Sequence, residues 1–152
     1  MRLSRIEIKN HSRIQDLDLG VRRHAVIVGA NDVGKSSILR MLNLLLGAST
    51  AGLYQSLTPA DLRDLEQPLV VNAWWAHFTG KNRRPFPSEI SIGSDQVSEY
   101  LWVQMIVEAH PEDEEAVTVR RRFPKAAMSE GPAASSWRSS VGATCALLEA
   151  RR

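Results

Sequence analysis

Apolar and polar positions alternate in two stretches near the N-terminus. Leu3, Ile6 and Ile8 punctuate 3–8, and Ile14, Leu17 and Leu19 punctuate 14–19. A period near two predicts two half-buried strands, joined by the turn-like Asn10-His11-Ser12. Residues 24–28 form a short apolar run with β-branched side chains that stops at Gly29, the pattern of a strand buried on both faces. From Ser36 to Leu46 the period changes. Ile38, Leu39, Met41, Leu42, Leu44, Leu45 and Leu46 cover most of a helical circumference, broken only by Arg40 and Asn43. That predicts a helix enclosed in a core, with Gly47 as its stop.

Further along, 48–57 is small and polar and reads as a loop or insertion. Thr58-Pro59-Ala60-Asp61 has the form of an N-cap followed by Pro at the first helical position, opening a short helix to about Leu65. A strand is expected over 69–78, a loop over 79–87 and a short strand within 88–93. Over 99–109, Leu101, Val103, Met105 and Val107 fall on one face, and Trp102, Gln104, Ile106 and Glu108 on the other. A turn at 111–114 returns this strand as a hairpin over 117–123. Beyond Pro124 the composition shifts: Ala, Ser and Gly supply 14 of the last 28 residues. Residues 125–140 have no period, and 141–152 could form a helix.

A length of 152 residues and a hydrophobic content of 43% fit one ordinary globular domain. No apolar run is long enough to span a membrane, and the N-terminus has no signal-like apolar segment. The single cysteine, Cys145, excludes an intramolecular disulfide and a cysteine zinc cluster. A cytoplasmic location is the expectation. The sequence pI is about 9.0, yet the formal net charge is only +2. Arg120-Arg121-Arg122 follows an acidic stretch from Glu108 to Glu115. That pairing fits a solvated hairpin with oppositely charged sides better than a nucleic-acid patch.

Residues 29–36 read Gly-Ala-Asn-Asp-Val-Gly-Lys-Ser, which matches G-x-x-x-x-G-K-[ST], the Walker A pattern. Gly29 and Gly34 permit backbone angles that turn successive N–H groups toward a phosphate. The loop opens a helix, whose N-terminus favours an anion. Lys35 has the reach for β- and γ-phosphates, and the Ser36 hydroxyl can ligate Mg²⁺. The nucleotide-binding set is therefore Gly29, Ala30, Asn31, Asp32, Val33, Gly34, Lys35, Ser36 and Ser37, with Ser36 as the metal ligand. An apolar strand before the loop and an apolar helix after it complete the context that this motif requires.

With these residues the first 47 positions resemble the N-terminus of the ABC-type ATPases of the SMC, RecN and RecF group. The likeness rests on Lys9-Asn10 in the first turn and on Ile27-Val28-Gly29-Ala30-Asn31-Asp32-Val33-Gly34-Lys35-Ser36-Ser37-Ile38-Leu39. Within that group the chain is most similar to the ATP-dependent endonucleases of the OLD (overcoming lysogenization defect) family. The resemblance implies an α/β P-loop NTPase fold: an ABC-type N-terminal lobe, incomplete, with an antiparallel β subdomain. It implies Mg-ATP as ligand, hydrolysis at a homodimer or partner-ATPase interface, and DNA processing or defence in a full-length parent. The group carries asparagine-aromatic-arginine at the first turn, near the adenine or ribose. The matching positions here are Asn10, His11 and Ser12, with Arg13 one place later.

Hydrolysis needs more than Walker A. The nearest approach to a Walker B strand is Met105-Ile106-Val107-Glu108, and the polar Gln104 interrupts its apolar run. Ser139-Ser140-Val141-Gly142 is too degenerate for the group's signature. The only Asp-x-Asp pair, Asp16-Leu17-Asp18, lies on an early strand and reads as solvent-facing. His11, His24, His77 and His110 have no metal-binding spacing, and Trp74, Trp75 and Trp102 read as core or interface. The expected organisation is an ATPase N-terminal lobe over 1–123 and a tail of uncertain origin over 124–152. The tail's composition fits truncation or a change of reading frame near 123–125. Two rivals remain: a non-catalytic module that pairs with a partner ATPase, and a small P-loop kinase.

Overall fold

The computed structural model describes residues 1–14, 16–22, 24–31, 33–86, 88–93 and 98–125, together with the backbone of 145–147. A six-stranded antiparallel sheet dominates these residues. It comprises β1 (Arg2–Lys9), β2 (Leu17–Gly20), β4 (Leu69–Ala76), β5 (Ile90–Ile92), β6 (Glu99–His110) and β7 (Asp113–Arg122). The order is β2-β1-β4-β6-β5, with β7 also on β6. β4 pairs with β6 from Tyr100 to Val107, so β5 and β7 share the opposite edge, one at each end.

The period-two pattern decides which face is inside. Ile6 and Ile8 of β1, Val71 and Ala73 of β4, and Val103, Met105 and Val107 of β6 are all at most 5% exposed. Against them lies α1 (Lys35–Gly47), which presents Ile38, Met41, Leu44 and Leu45. Burial of each such side chain contributes about 1.5–3 kcal/mol. α2 (Thr50–Ser56) and a 3-10 turn (Pro59–Asp61) close the same side with Leu53, Leu57 and Leu62.

The opposite face carries a hydrogen-bonded polar row, beside which Trp74 Nε1 is buried without a hydrogen-bond partner. The register aligns Glu7, Asn72, Gln104 and Arg122 in one row across four strands. Asn72 donates to Glu7 (2.8 Å) and accepts from Gln104 Nε2 (2.8 Å) and Trp102 Nε1 (2.9 Å), while Arg122 donates to Gln104 (2.7 Å). Trp102 stacks on Trp74 at 5.6 Å, and the Arg5 guanidinium lies over Trp74 at 5.0 Å. The expected charged hairpin is present, with Arg120 paired to Glu108 at 2.6 Å.

Several expectations change. The strand β3 (Val26–Val28) is not enclosed: Val26 is 64% and Val28 41% exposed. It lies outside the main sheet and, among the described residues, pairs with the backbone of β8 (Cys145–Leu147), in parallel. An apolar run records what a strand can bury, and the neighbours that cover both faces must come from elsewhere in space. α1 is likewise buried on one side only, with Leu39 64% and Leu46 54% exposed.

Residues 50–56 form α2 rather than a loop, because Ser49 caps it by accepting the Gly52 amide at 3.1 Å. The helix expected to reach Leu65 is a single 3-10 turn, opened by a capping box in which the Asp61 side chain accepts the Thr58 amide at 3.1 Å. The 79–87 stretch contains the single-turn helix α3 (Gly80–Arg83). In the stretch read as a terminal helix, 145–147 is strand, while 125–140 falls almost wholly outside the described residues.

Candidate nucleotide-binding site

Gly34 is the pivot of the loop. It takes φ +84° and ψ +8°, the left-handed region, and is the N-cap of α1. A Cβ at this position would stand 2.5 Å from the Arg13 carbonyl oxygen and 3.1 Å from the Ile14 side chain. Only glycine permits both the angle and this approach. The Gly34 carbonyl then accepts from Ile38 N at 3.1 Å, so α1 starts at Lys35. No side chain caps this end, and no acidic residue lies in the first turn. The first N–H groups of a thirteen-residue helix are left facing outward, with the positive end of the helix dipole behind them.

These groups open on a cavity of about 250 Å³ lined by Arg13, Asn31, Gly34, Lys35, Ser36 and Ser37. Lys35 Nζ folds over the loop and donates to the carbonyls of Gly29 (2.9 Å) and Ala30. An ammonium that donates to neutral carbonyls donates more strongly to a charged phosphate oxygen. Ser36 and Ser37 follow at the helix start. Gly29, Ala30, Asn31 and Val33 form the loop itself, and Asp32 lies outside the described residues.

The turn after β1 buttresses the loop. Asn10, 9% exposed and at φ 60°, donates from Nδ2 to the carbonyls of Asp64 (2.8 Å) and Gln67 (2.7 Å) and accepts the Asp64 amide at 3.0 Å. Ser12 N donates to Asp61 O (2.9 Å), and Arg63 N donates to Asn10 O (3.1 Å). Arg40 of α1 reaches the same segment through Asp61 at 2.6 Å. Turn, 3-10 segment and helix are thus tied together immediately behind Gly34. The motif alone did not reveal Asn10 or Arg40 as supports; the only hint was an asparagine in a turn, a residue that tolerates the left-handed region.

Other candidates resolve as structural. Asp18 pairs with Arg5 at 2.6 Å, and Asp16 accepts the Asn10 amide at 3.2 Å, so the Asp-x-Asp pair serves the surface and the turn. Glu108 is held by Arg120 on the hairpin, away from the loop. Trp74 and Trp75 are buried at 4% and 8% exposure. A second cavity, of similar size, is apolar and lies beside Leu45, Phe86 and Phe123. Its charged side chain, Arg121, donates to the carbonyls of Leu45 (3.3 Å) and Ala48 (2.7 Å) and so caps the end of α1. No helix among the described residues is long and apolar enough to cross a membrane.

Strand, glycine loop and helix in this arrangement define a P-loop NTPase. The chain belongs to the AAA ATPase domain family, whose model matches residues 1–97, more than half of its length. It is 42% identical over 45 residues to the OLD nuclease of Thermus scotoductus, a match that covers 30% of this chain and 8% of that protein. The OLD-like resemblance read from the first 47 residues is therefore borne out. A solved structure of an SMC head bound to the C-terminal winged-helix domain of ScpA aligns over 86% of this chain, at 17% identity and a TM-score of 0.47. This chain covers 38% of that one.

Proposed function

We propose that this chain is the ATP-binding portion of an ABC-type ATPase of the SMC, RecF and OLD kind. In this reading residues 29–37 grip the phosphates of Mg-ATP. The observation that carries it is the left-handed Gly34 at the uncapped N-terminus of α1, opening on the cavity that Lys35, Ser36 and Ser37 share. Backbone N–H groups would cradle the phosphates, and Lys35 would exchange its loop carbonyls for β- and γ-oxygens.

Among the described residues no group of three or more His, Cys, Asp or Glu could hold a metal. A Mg²⁺ would thus be held by the Ser36 hydroxyl together with nucleotide oxygens and water, a donor set of hard oxygens that suits it. The ion would neutralise charge between the phosphates.

The lobe that does this is read as 1–123, with 124–152 as a tail whose residues 145–147 pair with β3. Glu108 is engaged by Arg120 and supplies no second acid to the site. The chain alone therefore binds ATP and turns it over weakly or not at all, until a second copy or a partner ATPase completes the site. DNA enters only through such a parent complex. The reading as a partner-dependent module draws on the same exposed apolar side chains of β3 and α1, Val26 and Leu39.

The test is ATP binding and turnover by the wild type and Lys35→Ala. Binding with little turnover, abolished or weakened at least about tenfold in Lys35→Ala, is expected. A folded wild type without nucleotide binding rejects the reading, and efficient turnover by the isolated monomer rejects its half-site form.

A further inference from the structure

His11 is not among the residues that line the cavity, yet it bonds Arg13, which is. It is 1% exposed, and its backbone is bridged to Ile14 and to Leu62. Its Nδ1 accepts the Arg13 amide at 3.0 Å. The ring proton is then on Nε2, and Nε2 is buried without a hydrogen-bond partner. A phenyl ring would fill nearly the same space and leave no orphaned donor. What the imidazole adds is one acceptor, directed at Arg13.

Arg13 is where that acceptor reaches the site. Its carbonyl lies against Gly34, close enough to forbid any side chain there, and Arg13 is itself one of the residues that line the cavity.

We propose that His11 is a positioning residue of the nucleotide site: while its ring is neutral it holds the Arg13 amide and sets Arg13 against the phosphate loop, so that affinity for a nucleoside triphosphate falls when the ring takes up a proton. This rests on the phosphate-loop reading above. Protonation turns Nδ1 from acceptor to donor, so that two N–H groups face each other and the bond is lost. The surroundings oppose that proton. Burial is the largest cause; Arg40 from α1, Arg63 from beyond the 3-10 turn and Arg13 itself add to it, and only Asp61 works against it. Together they lower the His11 pKa below its ordinary 6.5. The folded site therefore prefers neutral imidazole. Its grip is complete above 6.5 and declines as pH falls toward the lowered value.

The test measures Mg-ATP affinity of the 152-residue chain from pH 8 to 5.5, in wild type, His11→Asn and His11→Phe. Asparagine accepts an amide two residues on, as in an Asx turn, and does not titrate. Wild-type affinity should fall on acidification by up to about tenfold per pH unit, the limit for one linked proton. His11→Asn should match wild type at pH 8 and hold its affinity in acid. His11→Phe should bind weakly throughout, without the His11-linked loss. The nucleotide's own titration is common to all three and cancels in the comparison.

The proposal is overturned if His11→Asn loses affinity in acid as wild type does, or if wild type does not lose it. It is equally overturned if His11→Phe binds like wild type at pH 8. Should His11→Phe not fold, the asparagine variant against wild type decides alone, with thermal midpoints confirming that both are folded. A folded wild type that binds no Mg-ATP at any pH overturns the phosphate-loop reading itself, and this proposal with it.

Discussion

Gly34 shows how much a single position can carry. The residue satisfies a left-handed φ and a backbone contact at once, and the two demands have different origins. The first belongs to the loop and is legible in the motif. The second comes from Arg13, twenty-one positions earlier, and is invisible until the chain is folded. Gly34→Ala should destabilise the protein by about 1–3 kcal/mol, from the strained angle and the displaced Arg13 carbonyl. It should abolish nucleotide binding as well. Denaturant titration and ATP binding measure the two effects separately; an alanine variant of unchanged stability would refute the contact. Asn10 teaches a similar lesson. Its place in the turn was evident, but its three hydrogen bonds to the segment 64–67 needed partners more than fifty residues away.

At the scale of the element, α1 is the most informative. Its leucine-rich sequence predicts enclosure on nearly all sides, while the structure buries a stripe. Ile38, Met41, Leu44 and Leu45 meet the sheet, and Leu39 and Leu46 face outward. Periodicity reports which residues could be buried, and only the number of packed neighbours decides which are. Met41→Ala should cost about 2–5 kcal/mol by leaving a cavity beneath the sheet. Leu39→Ala should change stability by no more than about 0.5 kcal/mol. Urea or thermal unfolding of the two variants checks the contrast, and equal losses would place both residues in the core. The alternation in β6 succeeded where that in α1 overreached, since Leu101, Val103, Met105 and Val107 are all buried as expected. A strand has only two faces, and in β6 the apolar one meets the core while Trp102, Ile106 and Glu108 on the other are half-buried. The other face holds Gln104, which breaks any Walker B pattern because it belongs to the polar row with Asn72 and Arg122.

For the whole molecule, the antiparallel sheet with α1 is a self-sufficient core, and the β3–β8 pair is an annex. A two-stranded parallel ladder, of whose strand β3 Val26 and Val28 are exposed and Ile27 alone packs on the core, has little to hold it. Backbone hydrogen exchange should therefore be slowest in β1, β4 and β6 and fast in β3, by orders of magnitude. Protection of Val26–Val28 equal to that of β4 would show that the annex is as stable as the core. If nucleotide orders the loop that follows β3, protection there should rise on adding Mg-ATP.

The amino-acid sequence by itself determined the glycine loop with its Walker A pattern, the strand and helix on either side of it, and the β6–β7 hairpin. Those features depend on neighbours in the chain, on glycine's freedom and on periods of two and about four. Tertiary structure alone decided the order of strands in the antiparallel sheet, which apolar surfaces are covered, what Asn10, Arg40 and His11 hold, and that Arg13 lines the cavity beside Gly34. Each of those depends on residues brought together from distant parts of the chain, and burial and hydrogen-bond partners are properties of that assembly rather than of any local stretch.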